Sequence, residues 1–200
     1  MKKITKLVIS CCMLFVALSV LMFGVIAAVS VTYSATNKVV YQVKDVFCSI
    51  SANMTGHIAV DGQDAPTTTF SWDNSSDLSK SSPSWNIGHF GFDKDNPDQT
   101  ITLSVTITNK GSNSIYVKQD WTPADTSLYD TAASPNSNAK IRVTFGSSLS
   151  GGTNGYYTLN PKNTDGDAKT FTLNLALKSD YESFSNIQLL WKMTISTTNS

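Results

Sequence analysis

The residues able to do chemistry are few and scattered. The chain has two histidines, His57 and His89, and they share no metal-ligand spacing with each other or with the three cysteines. A zinc centre needs three or four nitrogen, sulfur or oxygen ligands, and the spacing supplies none of the usual arrangements. Glu182 is the only glutamate, so acid/base work would fall to aspartate pairs. No GxSxG elbow is present to expose a nucleophilic serine. The best oxygen cluster is Asp93-Lys94-Asp95-Asn96-Pro97-Asp98. Alternating acidic positions in a loop can converge on calcium, which makes Asp93, Asp95 and Asp98 candidate ligands. The EF-hand pattern is not met, because the sixth-position glycine and the closing glutamate are missing. Asn163-Thr164-Asp165-Gly166-Asp167 is a second oxygen-rich loop of the same kind.

Aromatic rings offer a different chemistry. Trp72, Trp85 and Trp121 lie in or beside turn-rich segments, as do Tyr129, Tyr156 and Tyr157. Such faces stack on sugar rings, and they also cap β-cores. Asn53-Met54-Thr55 and Asn74-Ser75-Ser76 fit the glycosylation pattern, which has meaning only in a host that glycosylates it. Cys48 is the one cysteine outside the N-terminal apolar segment, so the body cannot form an internal disulfide. Its place on an apolar strand face points to a buried thiol, the alternative being a reactive or intermolecular one.

The elements that must position these groups read as strands. Thr100 to Thr108 alternates hydroxyl and apolar residues, putting Ile101, Leu103, Val105 and Ile107 on one face. Asn109-Lys110-Gly111-Ser112 supplies turn chemistry, and Ile115, Val117, Gln119 and Trp121 follow at period two. This predicts a hairpin. The same alternation marks Ile141–Phe145, Phe171–Leu177 and Ile187–Ile195. Near the start, Val39, Tyr41 and Val43 alternate, then the phase slips at Lys44-Asp45 and continues on Val46, Cys48, Ile50, Ala52 and Met54. A one-residue slip turns every side chain over, so a bulge or a strand break is expected there. Asp61 to Gln99 is too long for a plain turn, and its Phe70, Trp72, Trp85, Ile87, Phe90 and Phe92 require part of it to pack on the body. The expectation is all-β: seven or eight strands in two antiparallel sheets, a jelly-roll-like or Ig-like sandwich, preceded by one N-terminal apolar helix.

Charge gives the organisation. The chain holds 15 basic and 15 acidic residues, a net charge of zero, and charged residues make up 15% of it. Neutrality argues against a nucleic-acid partner, which would call for a strong basic excess. Lys2, Lys3 and Lys6 precede a stretch without charge from Leu7 to Asn37. The apolar run 7–31 would exceed a hydrocarbon core of about 30 Å as a helix. The lysines keep its N-terminus in the cytoplasm and put the body outside. Residues 1–35 are therefore either an uncleaved signal anchor or a long signal peptide cut near Ala27-Ala28 or Ser34-Ala35. Without the three head lysines, 12 basic residues face 15 acidic ones, and the body, residues 36–200, is mildly acidic.

Two features together resemble a known family. One is the apolar head ending Val31-Thr32-Tyr33-Ser34-Ala35-Thr36-Asn37. The other is strand-turn-strand from Leu103 through Asn109-Lys110-Gly111-Ser112 to Val117, with a later strand introduced by Pro161. The layout resembles exported proteins of the TasA and camelysin kind, which carry SipW-type signal peptides. The aromatic-Ala-Tyr-Phe signature after the head is missing. The resemblance implies a jelly-roll-like sandwich and, in matrix fibres, an N-terminal segment that completes a neighbour's sheet. Here Lys38–Ile50 would be the donor, with Val39, Tyr41 and Val43 as its apolar face; the alternative is an ordinary first strand of its own sheet.

The functional expectation is an exported cell-surface or extracellular-matrix structural protein that partners itself. The second expectation is a tethered surface binding module for glycan or protein, using the tryptophans. No enzyme and no cofactor are expected beyond the calcium candidates.

Overall fold

The phase slip at Lys44-Asp45 is where the chain first changes sheets. In the computed structural model, β1 (Lys38–Lys44) ends before Asp45, whose φ of 54° is left-handed, and β2 (Cys48–Thr55) begins in a different sheet. The break lets Val39 and Tyr41 of β1 and Cys48, Ile50, Ala52 and Met54 of β2 enter one core from opposite sides. The structure describes residues 37–93, 96, 98–121, 126–132, 134–147, 155–178 and 187–199. The expected apolar helix over 7–31 lies outside them. Among the described residues no helix is long and apolar enough to cross a membrane.

The other strands are β3 (Thr69–Asp73), β4 (Ser84–Asn86), β5 (Thr100–Asn109), β6 (Ile115–Trp121), β7 (Tyr129–Thr131), β8 (Ile141–Phe145), β9 (Tyr157–Leu159), β10 (Ala168–Leu177) and β11 (Leu190–Ser196). A five-stranded sheet has the order β4-β1-β11-β6-β9, and a six-stranded sheet the order β3-β2-β5-β10-β8-β7. The protein is all-β, as expected, with eleven strands among the described residues rather than seven or eight. The extra ones include three-residue strands, too short to show a period.

Two expectations are corrected. The sheets are mixed, not purely antiparallel: β1 runs parallel to β11, and β7 parallel to β8. And β5 and β6 are not a hairpin. β5 lies in the six-stranded sheet and β6 in the five-stranded one, so the Asn109–Ser114 link crosses from sheet to sheet. Asn109 is fully buried at the crossing. Its Nδ2 donates to the carbonyls of Asn113 (2.8 Å) and Asn160 (2.7 Å), and its Oδ1 accepts from Gly111 N–H (2.8 Å). These bonds satisfy backbone groups that a hairpin would pair by itself.

The two inner faces share one core. Ile101, Leu103, Val105 and Ile107 of β5 and Phe171, Leu173 and Leu175 of β10 are all at 0% exposure, and so are Val39, Trp191, Met193 and Ile195 of the opposite sheet. Ring pairs bridge the sheets: Tyr41 stacks on Phe70 at 5.5 Å, Trp121 meets Tyr129 and Phe145 edge-on, and Tyr157 meets Phe171. All eleven strands and the core described here fall in one compact unit, Ala35–Ser200. The segment between Asp61 and Gln99 packs as its composition required, through β3, β4 and buried Ile87, Phe90 and Phe92.

Candidate functional site

The first strand is the element whose placement bears most on assembly. β1 sits between three-residue β4 and seven-residue β11, paired with β11 from Lys38↔Leu190 to Lys44↔Ser196. It thus joins the first strand of the fold to the last. Val39 and Tyr41 are buried in the chain's own core, and Val43 is half-buried at the strand's end. Full burial of an aliphatic side chain such as Val39 stabilises by about 1.5–3 kcal/mol.

Both ends of β1 are latched. At its start, buried Asn37 donates from Nδ2 to the Gly88 carbonyl (2.9 Å) and accepts at Oδ1 from Leu189 N–H (2.7 Å). Its own carbonyl takes Ile87 N–H (2.9 Å). At its end, Val43 N–H donates to Ser82 Oγ (3.0 Å), and that hydroxyl donates back to the Val43 carbonyl (3.2 Å). Beyond it, Asp45 to Phe47 form the short link to β2. Asn74 closes that link: its Oδ1 accepts from Cys48 N–H (2.8 Å) and its Nδ2 donates to the Val46 carbonyl (2.8 Å). The Asn74 amide is therefore spent inside the fold, and as a glycosylation acceptor it is closed off, whereas Asn53 is exposed.

The electrostatics of this region are those of a dry core. Burial pushes the Tyr41 hydroxyl well above its ordinary range, and its Oη has no hydrogen-bond partner. Burial first, and the nearby Asp73 carboxylate second, push the Cys48 thiol up to about 12, so it stays a neutral thiol. His57 Nδ1 is buried without a partner, and burial lowers the ring's pKa.

The three candidate tryptophans lie on three strands. Trp85 is at 1% exposure in β4, and its Nε1 donates to the Thr67 carbonyl (2.9 Å), so its ring is core and offers no face to a sugar. Trp121 is half-buried against Tyr129 and Phe145. Trp85, Val39, Trp191 and Trp121 form one row across the five-stranded sheet, by the register of β4, β1, β11 and β6. Trp72, in β3, is half-buried at a sheet edge with Lys80 Nζ 5.5 Å from its ring centre.

Of the calcium candidates, Asp95 lies outside the described residues. Asp93 is half-buried, with its N–H donating to Gln99 Oε1 (2.6 Å), and Asp98 is exposed. Among the described residues no group of three or more His, Cys, Asp or Glu is placed to hold a metal ion.

The asparagine latches were missed in the sequence. Asn37 and Asn109 bond across 152 and 51 residues respectively, and nothing local marks them. Asn74 carries a faint signal, since it follows Phe70 and Trp72 at period two, where an inward apolar residue was due.

The geometry defines a class: an all-β protein of two mixed sheets around one core, with the first and last of the described strands paired. No family model matches the chain, and no curated protein and no solved structure matches it.

Proposed function

We propose that the chain is an exported structural protein of the cell surface or extracellular matrix, a jelly-roll-like sandwich that assembles into fibres by donating β1. The carrying observation is the position of β1. It is the first strand of the fold, it inserts between two strands of one sheet, and it is joined to the rest by a three-residue link with a left-handed Asp45. A short strained hinge favours exchange of the element it carries. Exchange costs little in contacts, because the acceptor slot is the same slot in another copy. The apolar segment 7–31 then either tethers the body outside the membrane or is removed on export. The proposal assigns no catalytic step and no cofactor.

Purified Ala35–Ser200 tests this. Static light scattering and electron microscopy are expected to show oligomers and filaments that a chain lacking Lys38–Lys44 does not form. Monomers under every condition of concentration, salt and pH would count against it.

A further inference from the structure

The hydrogen-bond phase of β3 leaves one side of that strand open in a self-complementary way. Met54 N–H donates to the Thr68 carbonyl (2.8 Å) and Asn74 N–H to the Cys48 carbonyl (3.2 Å). These two bonds bracket the β2–β3 register and fix its alternation. Phe70 and Trp72 face β2 with their backbone groups, so Thr69, Ser71 and Asp73 turn their N–H and C=O away from it. Lys80 agrees with this, since its Nζ reaches the Asp73 carbonyl from outside. No other described residue bonds to the outward backbone groups of β3.

This edge lacks the usual protection. The other edge strands, β4, β7 and β9, have three residues each, and β3 has five. It has no proline and no lysine, and Asp73 at its end is its only charge. Natural sheets blunt open edges with short strands, lysines, prolines or bulges. Here Lys80 covers one end only.

We propose that β3 is a docking strand for β3 of a second copy, paired antiparallel about a two-fold axis at Ser71. In that register Ser71 meets Ser71 of the other copy, and Thr69 meets Asp73. All three are residues whose backbone groups point outward, so every bond in the ladder finds its partner. Phe70 of each copy stands opposite Trp72 of the other, on the core-facing side. Both rings are only half-buried in the single chain, and each would cover the other. A carbonyl has two lone pairs, so Asp73 keeps Lys80 while accepting from Thr69. Two copies would form one twelve-stranded sheet whose outer face is rich in serine, threonine and asparagine. This contact is isologous and closes on itself, unlike strand donation, and does not depend on it.

The test is the size of Ala35–Ser200 in solution by sedimentation equilibrium, with three variants. The parent is expected to show a concentration-dependent dimer. Ser71→Pro removes only an outward N–H, which edge strands tolerate, and is expected to abolish the dimer. Ser71→Lys sets two like charges face to face without touching the β2 pairing, and is expected to do the same; it keeps the test valid if the proline variant unfolds. Ser71→Cys is expected to give a disulfide-linked dimer on mild oxidation, because opposed residues of a bonded pair stand about 5.5 Å apart at Cα. A parent that stays monomeric at all concentrations, or a dimer that persists in the Ser71→Lys variant, overturns the proposal. Oligomers made by β1 exchange would survive Ser71→Lys, so the two associations are separable.

Discussion

The two sheets are made in different ways. At the centre of the six-stranded sheet, β5 and β10 are ten residues long and pair antiparallel over nine consecutive positions, Ala168↔Thr108 to Ala176↔Thr100. Their inner residues are fully buried, and their outer polar side chains bond to one another: the Thr102 hydroxyl donates to Asn174 Oδ1 (2.9 Å), and the Thr106 and Thr170 hydroxyls pair (2.8 Å). At the centre of the five-stranded sheet, β1 and β11 pair in parallel across the length of the body, and the sheet's outer strands β4 and β9 have three residues each. One sheet is a scaffold whose strands all lie within the fold's middle. The other is completed by a terminal strand on a short hinge. A protein that exchanges a strand needs this asymmetry: the part that leaves must not be the part that holds the fold.

Substitutions that separate the sheets should fall in a definite order. Leu103→Ala in β5 opens a cavity at the scaffold's centre, and urea unfolding should show a loss of about 2–5 kcal/mol. Gly56→Ala comes next. Gly56 has φ +73°, and an added Cβ would stand 2.1 Å from the Thr100 carbonyl oxygen where β2 leaves β5, so a loss of about 1–3 kcal/mol is expected in the same assay. Asn37→Ala strips the latch from β1 and leaves Leu189 N–H and the Gly88 carbonyl without it. It should cost about 1–3 kcal/mol, and hydrogen exchange should show β1 opening ahead of β5 and β10. If β5 opened as readily as β1, the distinction between the sheets would fail.

Smaller effects follow at the hinge and the thiol. Asp45→Gly removes the cost of a left-handed aspartate, should stabilise the single chain by about 0.5–1 kcal/mol and should slow assembly measured by light scattering. Cys48 bears on the β1–β2 link through pH. Its folded pKa is raised above the unfolded value, so its contribution is fully present below pH 9 and is lost as pH rises from there toward 12. Alkylation of Cys48 at pH 8 should be slow in the folded protein and immediate in urea; rapid alkylation of the native form would mean that β2 is open.

The scaffold sheet was largely legible in the sequence, and the completed sheet much less so. The period of two in Thr100–Thr108 and Phe171–Leu177 reports which side of each strand is buried, and both faces came out as read. The same period cannot report which sheet a strand joins. Two sheets facing one core demand the same alternation from a hairpin and from a crossing, and so β5 to β6 misread as a hairpin. Only a phase slip betrays a change of sheet, as at Lys44-Asp45, where the strands meet the core from opposite sides without room to re-phase. The β1–β11 pair joins residues 152 apart, and no local signal marks it. At the candidate site, Val39 and Tyr41 were legible as one apolar face, whereas the strand's neighbours and the Asn37 latch were not. Trp85 looked like a loop aromatic because β4 is too short to show as a strand.

The most direct measurement places a reporter across the β1–β11 pair. Val40 lies opposite Lys192 in that register, so cysteines at both positions in one chain should close a disulfide within the folded monomer. The decisive sample mixes two chains under assembly conditions, one carrying Val40→Cys and the other Lys192→Cys. Strand donation predicts a disulfide between the two chains on a non-reducing gel, growing as filaments form. Its absence from assembled material, while the double variant still closes within one chain, would contradict the account.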